Sequence, residues 1–162
     1  MKAQHRSAYS KSSDSVIKMF TDKDYFQRKY ELQGALNIKL LEHKQDGDAF
    51  TVEFLREVPA EVKLPSFAKK FVPEMMTVTQ RDSWNAGSKT GRLDIDLKGI
   101  PGTVVCDMRL EDTANGCDLV MDWNITCNVP LVGGKLEKVL WEDLRGKMAS
   151  DTDAGEQLLV DY

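Results

Sequence analysis

The stretch VPLVGGKLEKVL, Val129 to Leu140, decides how this chain is read. Two glycines followed by a lysine resemble a phosphate-gripping loop. Such a loop needs the pattern GxxxxGK[ST], so that several backbone N–H groups surround the phosphate and a hydroxyl reaches magnesium. Here Lys135 is followed by Leu136, and Val129 stands where the first glycine of that pattern belongs. A dinucleotide GxGxxG is also missing. The stretch reads instead as an elbow between a strand ending near Val129 and a helix carrying Leu136, Val139 and Leu140. Its glycines allow backbone angles or close packing that other residues do not. On this reading they aim the helix, and Gly134→Val is expected to damage folding or the closure of a cavity.

Upstream of the elbow, Leu119, Met121, Trp123, Ile125, Cys127 and Val129 share one face of a strand, while Asp118, Asp122, Asn124, Thr126 and Asn128 fill the other. Such alternation predicts an antiparallel sheet with one covered and one wet face. Downstream, Leu136, Val139, Leu140, Leu144 and Met148 fall on one stripe, extended by Ala154, Leu158 and Leu159. This predicts an amphipathic helix of about 25 residues, which needs a surface to lie on. The covered sheet face is that surface. Gly146 and the Ser150–Gly155 region are expected to weaken the helix.

The remaining elements follow from period and punctuation. Lys2 to Tyr9 reads as a strand with Ala3, His5, Ser7 and Tyr9 on one side. Ser12 or Ser13 then caps a short helix carrying Val16, Ile17, Met19 and Phe20. Asp22 or Asp24 caps a second, with Tyr25, Phe26 and Tyr30, and Gly34 ends it. Leu36, Ile38 and Leu40 alternate with Asn37 and Lys39. The turn QDGD leads to Phe50, Val52 and Phe54, so these two runs read as a hairpin. Val58 to Pro73 is a long connection with three prolines. Within it Phe67 and Phe71 suggest one helical turn. Strands follow at Met76–Trp84, at Leu93–Leu97, and at Val104, Cys106, Met108 and Leu110. Asn115-Gly116 marks the last hairpin.

The 162 residues suit one domain, residues 1–162. A hydrophobic content of 41% and a charged content of 30% are those of a globular chain. The net charge of -4 argues against a general nucleic-acid binder. No apolar run approaches the ~20 residues that span a bilayer, and the polar start MKAQHRSAYSKSSDS lacks the core of a secretion signal. Three cysteines, without CxxC spacing, fit a reducing cytoplasm better than a disulfide scaffold. Cys106 and Cys127 read as buried apolar residues, and Cys117, at a turn, as exposed.

The order strand, two short helices, six strands and one long helix is α+β. It resembles the helix-grip fold of the START-like (SRPBCC) superfamily, which includes the birch-pollen-allergen proteins and polyketide cyclases. It is most similar to a bacterial branch, the domain-of-unknown-function 2505 family. SSDSVIKMFTDKDYFQRKYELQGA, Ser12 to Ala35, and WNITCNVPLVGGKLEKVL, Trp123 to Leu140, carry the likeness. The resemblance implies a curved antiparallel sheet of about seven strands wrapped around the C-terminal helix. It also implies a cavity between them that takes an apolar or amphipathic small molecule, lipid-like or polyketide-like. It implies no universal catalytic residue, since the superfamily holds both carriers and enzymes.

The residues themselves offer little catalytic chemistry. Asp94 and Asp96 point the same way on a strand, but Arg92 and Lys98 flank them, so they read as a solvated outer face. The two histidines, His5 and His43, form no ligand cluster, and neither a metal nor a cofactor is expected. No GxSxG elbow occurs, and the SxxK matches at Ser15 and Ser66 lack their partner motifs. His5 and Tyr9 would be rare polar groups able to orient a ligand in a mostly apolar cavity. Met76, Met108, Met121 and Met148 offer an adaptable lining, with Trp123, Leu140 and Leu144 beside them. The expected function is therefore small-molecule binding with no assigned catalytic residue. A cyclase- or hydrolase-like enzyme on the same fold and a protein-interaction module without a ligand are the alternatives.

Overall fold

The computed structural model describes residues 1–162. Strand β1 (Lys2–Tyr9) is followed by helices α1 (Ser13–Phe20) and α2 (Lys23–Leu32). Six strands come next: β2 (Leu36–Asp46), β3 (Ala49–Pro59), β4 (Met75–Asn85), β5 (Thr90–Leu97), β6 (Gly102–Thr113) and β7 (Gly116–Cys127). Helix α3 (Gly133–Leu159) closes the chain. One antiparallel sheet holds all seven strands in the order β1-β7-β6-β5-β4-β3-β2. This is the helix-grip fold. The expected single turn near Phe67 is a 3-10 turn at Ala68–Lys70.

Because β1 pairs with β7 and β2 lies at the far edge, the α1–α2 pair must carry the chain from one edge of the sheet to the other. The start of α1 is fixed across the sheet rather than by its own cap. Ser12 holds the cap position without a side-chain bond, while the Ser13 amide and hydroxyl both donate to Asp112 of β6 at 2.9 Å. That docking covers the β6–β7 hairpin, so Cys117 is buried, not exposed as its turn position suggested. Aromatic rings seat the helices: Phe20 stacks on Trp84 at 5.2 Å between centroids, and Tyr30 meets Phe54 edge-on at 5.5 Å.

Helix α3 is continuous through Gly146 and the Ser150–Gly155 region and is held at both ends. Near its start Glu137 accepts the Cys127 amide at 3.0 Å. Near its finish Glu156 accepts the Ser10 amide and hydroxyl, each at 2.7 Å, and Lys11 Nζ donates to the Leu159 carbonyl at 2.9 Å. The middle of the helix, from Leu140 to Met148, spans the concave face of the sheet.

One expectation needs correction. The elbow before α3 does not depend on Gly134, around which a Cβ would meet nothing within 4 Å. At Gly133 a Cβ would fall 2.3 Å from the Cys127 carbonyl oxygen, so Gly133 is the glycine that close packing requires. The left-handed backbone angle lies at neither glycine but at Leu131, φ 67°. The β2–β3 hairpin forms as expected, though the leucines of β2 are not covered. Register shifts between Leu36 and Lys39 and between Leu40 and Glu42 break the alternation. On this edge strand Leu36, Leu40 and Leu41 are exposed.

Candidate functional site

A cavity of about 180 Å³ lies between α3, α2 and the inner face of the sheet. Its apolar wall is built by period-2 positions of four strands. Met76 and Val78 come from β4, Leu93 and Ile95 from β5, Met108 from β6, and Leu119, Met121 and Trp123 from β7. Leu140, Leu144 and Met148 of α3 form the roof. Pro59, Glu61 and Ser150 are exposed members of the lining and mark its mouth, between the end of β3 and the middle of α3.

Eight of the residues singled out from the sequence line this cavity: Tyr9, Met76, Met108, Met121, Trp123, Leu140, Leu144 and Met148. His5 does not. It lies on the inward side of β1, half-buried opposite Met121, and burial lowers its pKa. The expected His5–Tyr9 pair is therefore split, with only Tyr9 at the cavity. Tyr9 packs against Gly155 of α3, where a Cβ would come within 2.9 Å of its ring.

The polar chemistry of the cavity comes from residues that the sequence reading passed over. Arg56, Gln80, Asp82 and Lys29 all line it. Arg56 Nη2 donates to Gln80 Oε1 at 2.8 Å, and Gln80 Nε2 donates to Asp82 Oδ2 at 2.9 Å. The Arg56 guanidinium stands 3.9 Å over the Tyr30 ring. Lys29, only 7% exposed, sits among the rings of Tyr25, Phe26 and Tyr30 at 5.6, 5.8 and 5.2 Å. Its paired carboxylate, Asp151, is 3.6 Å away, beyond hydrogen-bond reach. Burial pushes the Asp82 carboxyl up to about 6, against the opposing pull of Lys29, the Gln80 hydrogen bond and Arg56.

A signal for these residues was present. In β3 the inward series Phe50, Val52, Phe54 continues to Arg56 and Val58. In β4 the series Met76, Val78, Gln80, Asp82, Trp84 interrupts an apolar face with two polar residues. Lys29 follows Tyr25 at i+4, on the apolar stripe of α2. A polar residue inside an inward-facing series is costly to bury unless it is paired or used.

The family model described as "Protein of unknown function (DUF2505)" matches residues 4–159. The chain belongs to this DUF2505 family. Solved structures share its fold. Against Ara h 8.0201 the DUF2505 chain has a TM-score of 0.66 and 12% identity, covering 100% of this chain and 99% of that one. Against norcoclaurine synthase from Thalictrum flavum the values are 0.62 and 14%, over 100% and 87% of the two chains. Against Zhui aromatase/cyclase from Streptomyces sp. R1128 they are 0.62 and 11%, over 98% and 93%. At these identities the likeness shows the helix-grip fold alone. No curated protein matches the DUF2505 chain significantly in sequence. None of its helices is long and apolar enough to cross a membrane.

Three buried polar atoms have no hydrogen-bond partner: Arg56 Nη1, Trp123 Nε1 and Tyr30 Oη. The first two belong to residues that line the cavity. Native interiors pair most such atoms, and an unpaired one costs about 1–3 kcal/mol.

Proposed function

We propose that this protein binds a compact amphipathic small molecule between the sheet and α3. The observation that carries this reading is the cavity itself, a chamber of about 180 Å³ left open beneath a helix that is pinned at both ends. That is smaller than the roughly 300–1,000 Å³ of pockets for drug-sized ligands, which favours a compact ligand. Burying ~200 Å² of apolar ligand surface would contribute roughly 5 kcal/mol before the costs of association. The reading is supported by a structural relative: norcoclaurine synthase has been solved in complex with dopamine and hydroxybenzaldehyde. The eight lining residues singled out from the sequence are the proposed ligand contacts, Tyr9 as a polar one. The reading takes the reducing cytoplasm as its setting, supported by three cysteines that are all free. It assigns no nucleic-acid partner, since the outer strand faces mix charges, as where Arg92 pairs with Asp94 and Asp107.

Native mass spectrometry of freshly purified protein is expected to show a species heavier by one small molecule, released on denaturation. Leu144→Trp, which fills the chamber, is expected to remove it. A bare chain throughout, with no binding of naphthalene as a neutral aromatic probe, would sink the reading.

A second reading, catalysis in the same cavity, is favoured by Asp82. A buried carboxyl with a pKa of about 6 is suited to proton transfer near neutral pH. Recovery of the co-purified molecule chemically unchanged after incubation with fresh protein would count against it.

A further inference from the structure

Among the fully buried polar atoms of the cavity lining, those without a partner are all donors. Arg56 Nη1 and Trp123 Nε1 are pure donors and have no acceptor. Lys29 Nζ is a third donor that reaches no acceptor within hydrogen-bond distance, since Asp151 is 3.6 Å away and half exposed. The acids show the opposite condition. Asp82 already accepts from Gln80 at 2.9 Å. Asp143 accepts the Glu61 amide at 2.5 Å and pairs with Lys147. Asp151 accepts from Gln33 as well as facing Lys29. A cationic ligand would compete with the lysines that already face Asp151 and Asp143, whereas Asp82 holds one neutral donor, Gln80. A ligand bringing acceptors would satisfy donors that have none.

Position narrows the chemistry. Arg56 and Lys29 stand over the same Tyr30 ring, Cζ at 3.9 Å and Nζ at 5.2 Å from its centroid, in the part of the lining that β3 and α2 supply. Lys29 is 7% exposed, and its one ion-pair partner, Asp151 at 3.6 Å, is itself half exposed. Arg56 is oriented by the Tyr30 face and by the Nη2 bond to Gln80, and its Nη1, buried at the edge of the lining, is left without an acceptor. A planar carboxylate is the group that a guanidinium fork matches. The wall beyond it is apolar and methionine-rich. Resting on the cavity reading, we propose that the ligand is a compact aromatic or aliphatic carboxylic acid, its acid group held by Arg56 with Lys29 as the second charge and its apolar body lying against Met76, Met108 and Met121.

Three probes that share one ring system test this: 2-naphthoate, 2-naphthamide and 2-naphthylmethylammonium, titrated into the intact protein by calorimetry at pH 7.5. The wild type is expected to bind the naphthoate at least about tenfold tighter than the amide, and the ammonium weakest. Arg56→Gln and Lys29→Gln are each expected to bring the naphthoate-to-amide ratio within about threefold, the larger loss falling on the naphthoate. Equal affinity for naphthoate and amide, tightest binding of the ammonium, or a tenfold preference retained in either variant overturns the acid site while leaving the cavity reading intact. Binding of none of the three overturns both. The wild-type comparison stands whether or not a variant folds.

Discussion

At the residue scale, the elbow between β7 and α3 separates two adjacent glycines that the sequence presents as equals. A Cβ at Gly133 would stand 2.3 Å from the Cys127 carbonyl oxygen, whereas at Gly134 it would meet nothing within 4 Å. Backbone at such a distance has no rotamer with which to yield. Gly133→Ala is therefore expected to lose about 2 kcal/mol or more, within or beyond the usual cost of overpacking. Gly134→Ala, one residue further into the helix, is expected to be neutral or stabilising by up to about 1 kcal/mol. Urea unfolding of the two variants reads the contrast, and equal stabilities would refute it. The alternation before the elbow and the helical stripe after it were legible as periods. Which glycine faces the carbonyl depends on the angle at which the helix leaves, and here Leu131, fully exposed with φ 67°, sets that turn. A leucine in that conformation gives no warning in the sequence.

At the scale of elements, α3 holds two more glycines in opposite situations. Gly146 is exposed, and a Cβ there would make ordinary contact with Glu61 at 3.5 Å. Gly146→Ala is expected to raise stability by about 0.5–1 kcal/mol through helix propensity alone. Gly155 lies against the Tyr9 ring, where a Cβ would approach to 2.9 Å. Gly155→Ala is expected to cost a net 1 kcal/mol or so, since the gain in propensity is outweighed by displacement of a ring held between α3 and Phe20. Thermal unfolding of both variants checks the pair, and a stabilised Gly155→Ala would show that Tyr9 moves freely. Element order, the closing helix and the inward faces of β5 to β7 followed from period, because both covered and wet faces were present to contrast. On the edge strand β2 the leucines alternate in sequence, and two register shifts turn them to solvent. The polar end of the cavity was missed because Arg56, Gln80 and Asp82 continue inward series that begin with apolar residues. A period identifies a face without saying that the face has a hole in it.

At the scale of the whole molecule, burying Asp82 ties stability to pH. Lys29 faces it from α2, Arg56 from β3, Gln80 from its own strand, and Asp151 from α3. Its carboxyl titrates at about 6 in the folded protein, against an ordinary 3.8, with burial as the largest cause. Between those values the folded chain keeps a proton that the unfolded chain has released. Stability therefore falls as pH rises through this window. The cost is absent below the unfolded value and complete above the folded one. A shift of this size corresponds to about 3 kcal/mol. Exposed carboxylates with lowered pKa, among them Asp112 held by Ser13 and Glu111 held by Arg109, act in the opposite sense. They lose their contribution as pH falls, so the profile of the wild type alone mixes both. Asp82→Asn isolates the buried group, since the amide oxygen can still accept from Gln80 and carries no charge at any pH. Urea unfolding of the variant and the wild type is expected to give similar stabilities near pH 4. By pH 8 the variant is expected to be more stable by up to about 3 kcal/mol. A difference independent of pH, or a less stable variant at pH 8, would mean that Lys29 and Arg56 fully compensate the carboxylate. Asp82 would then be the anchor of their charges rather than a liability of the cavity.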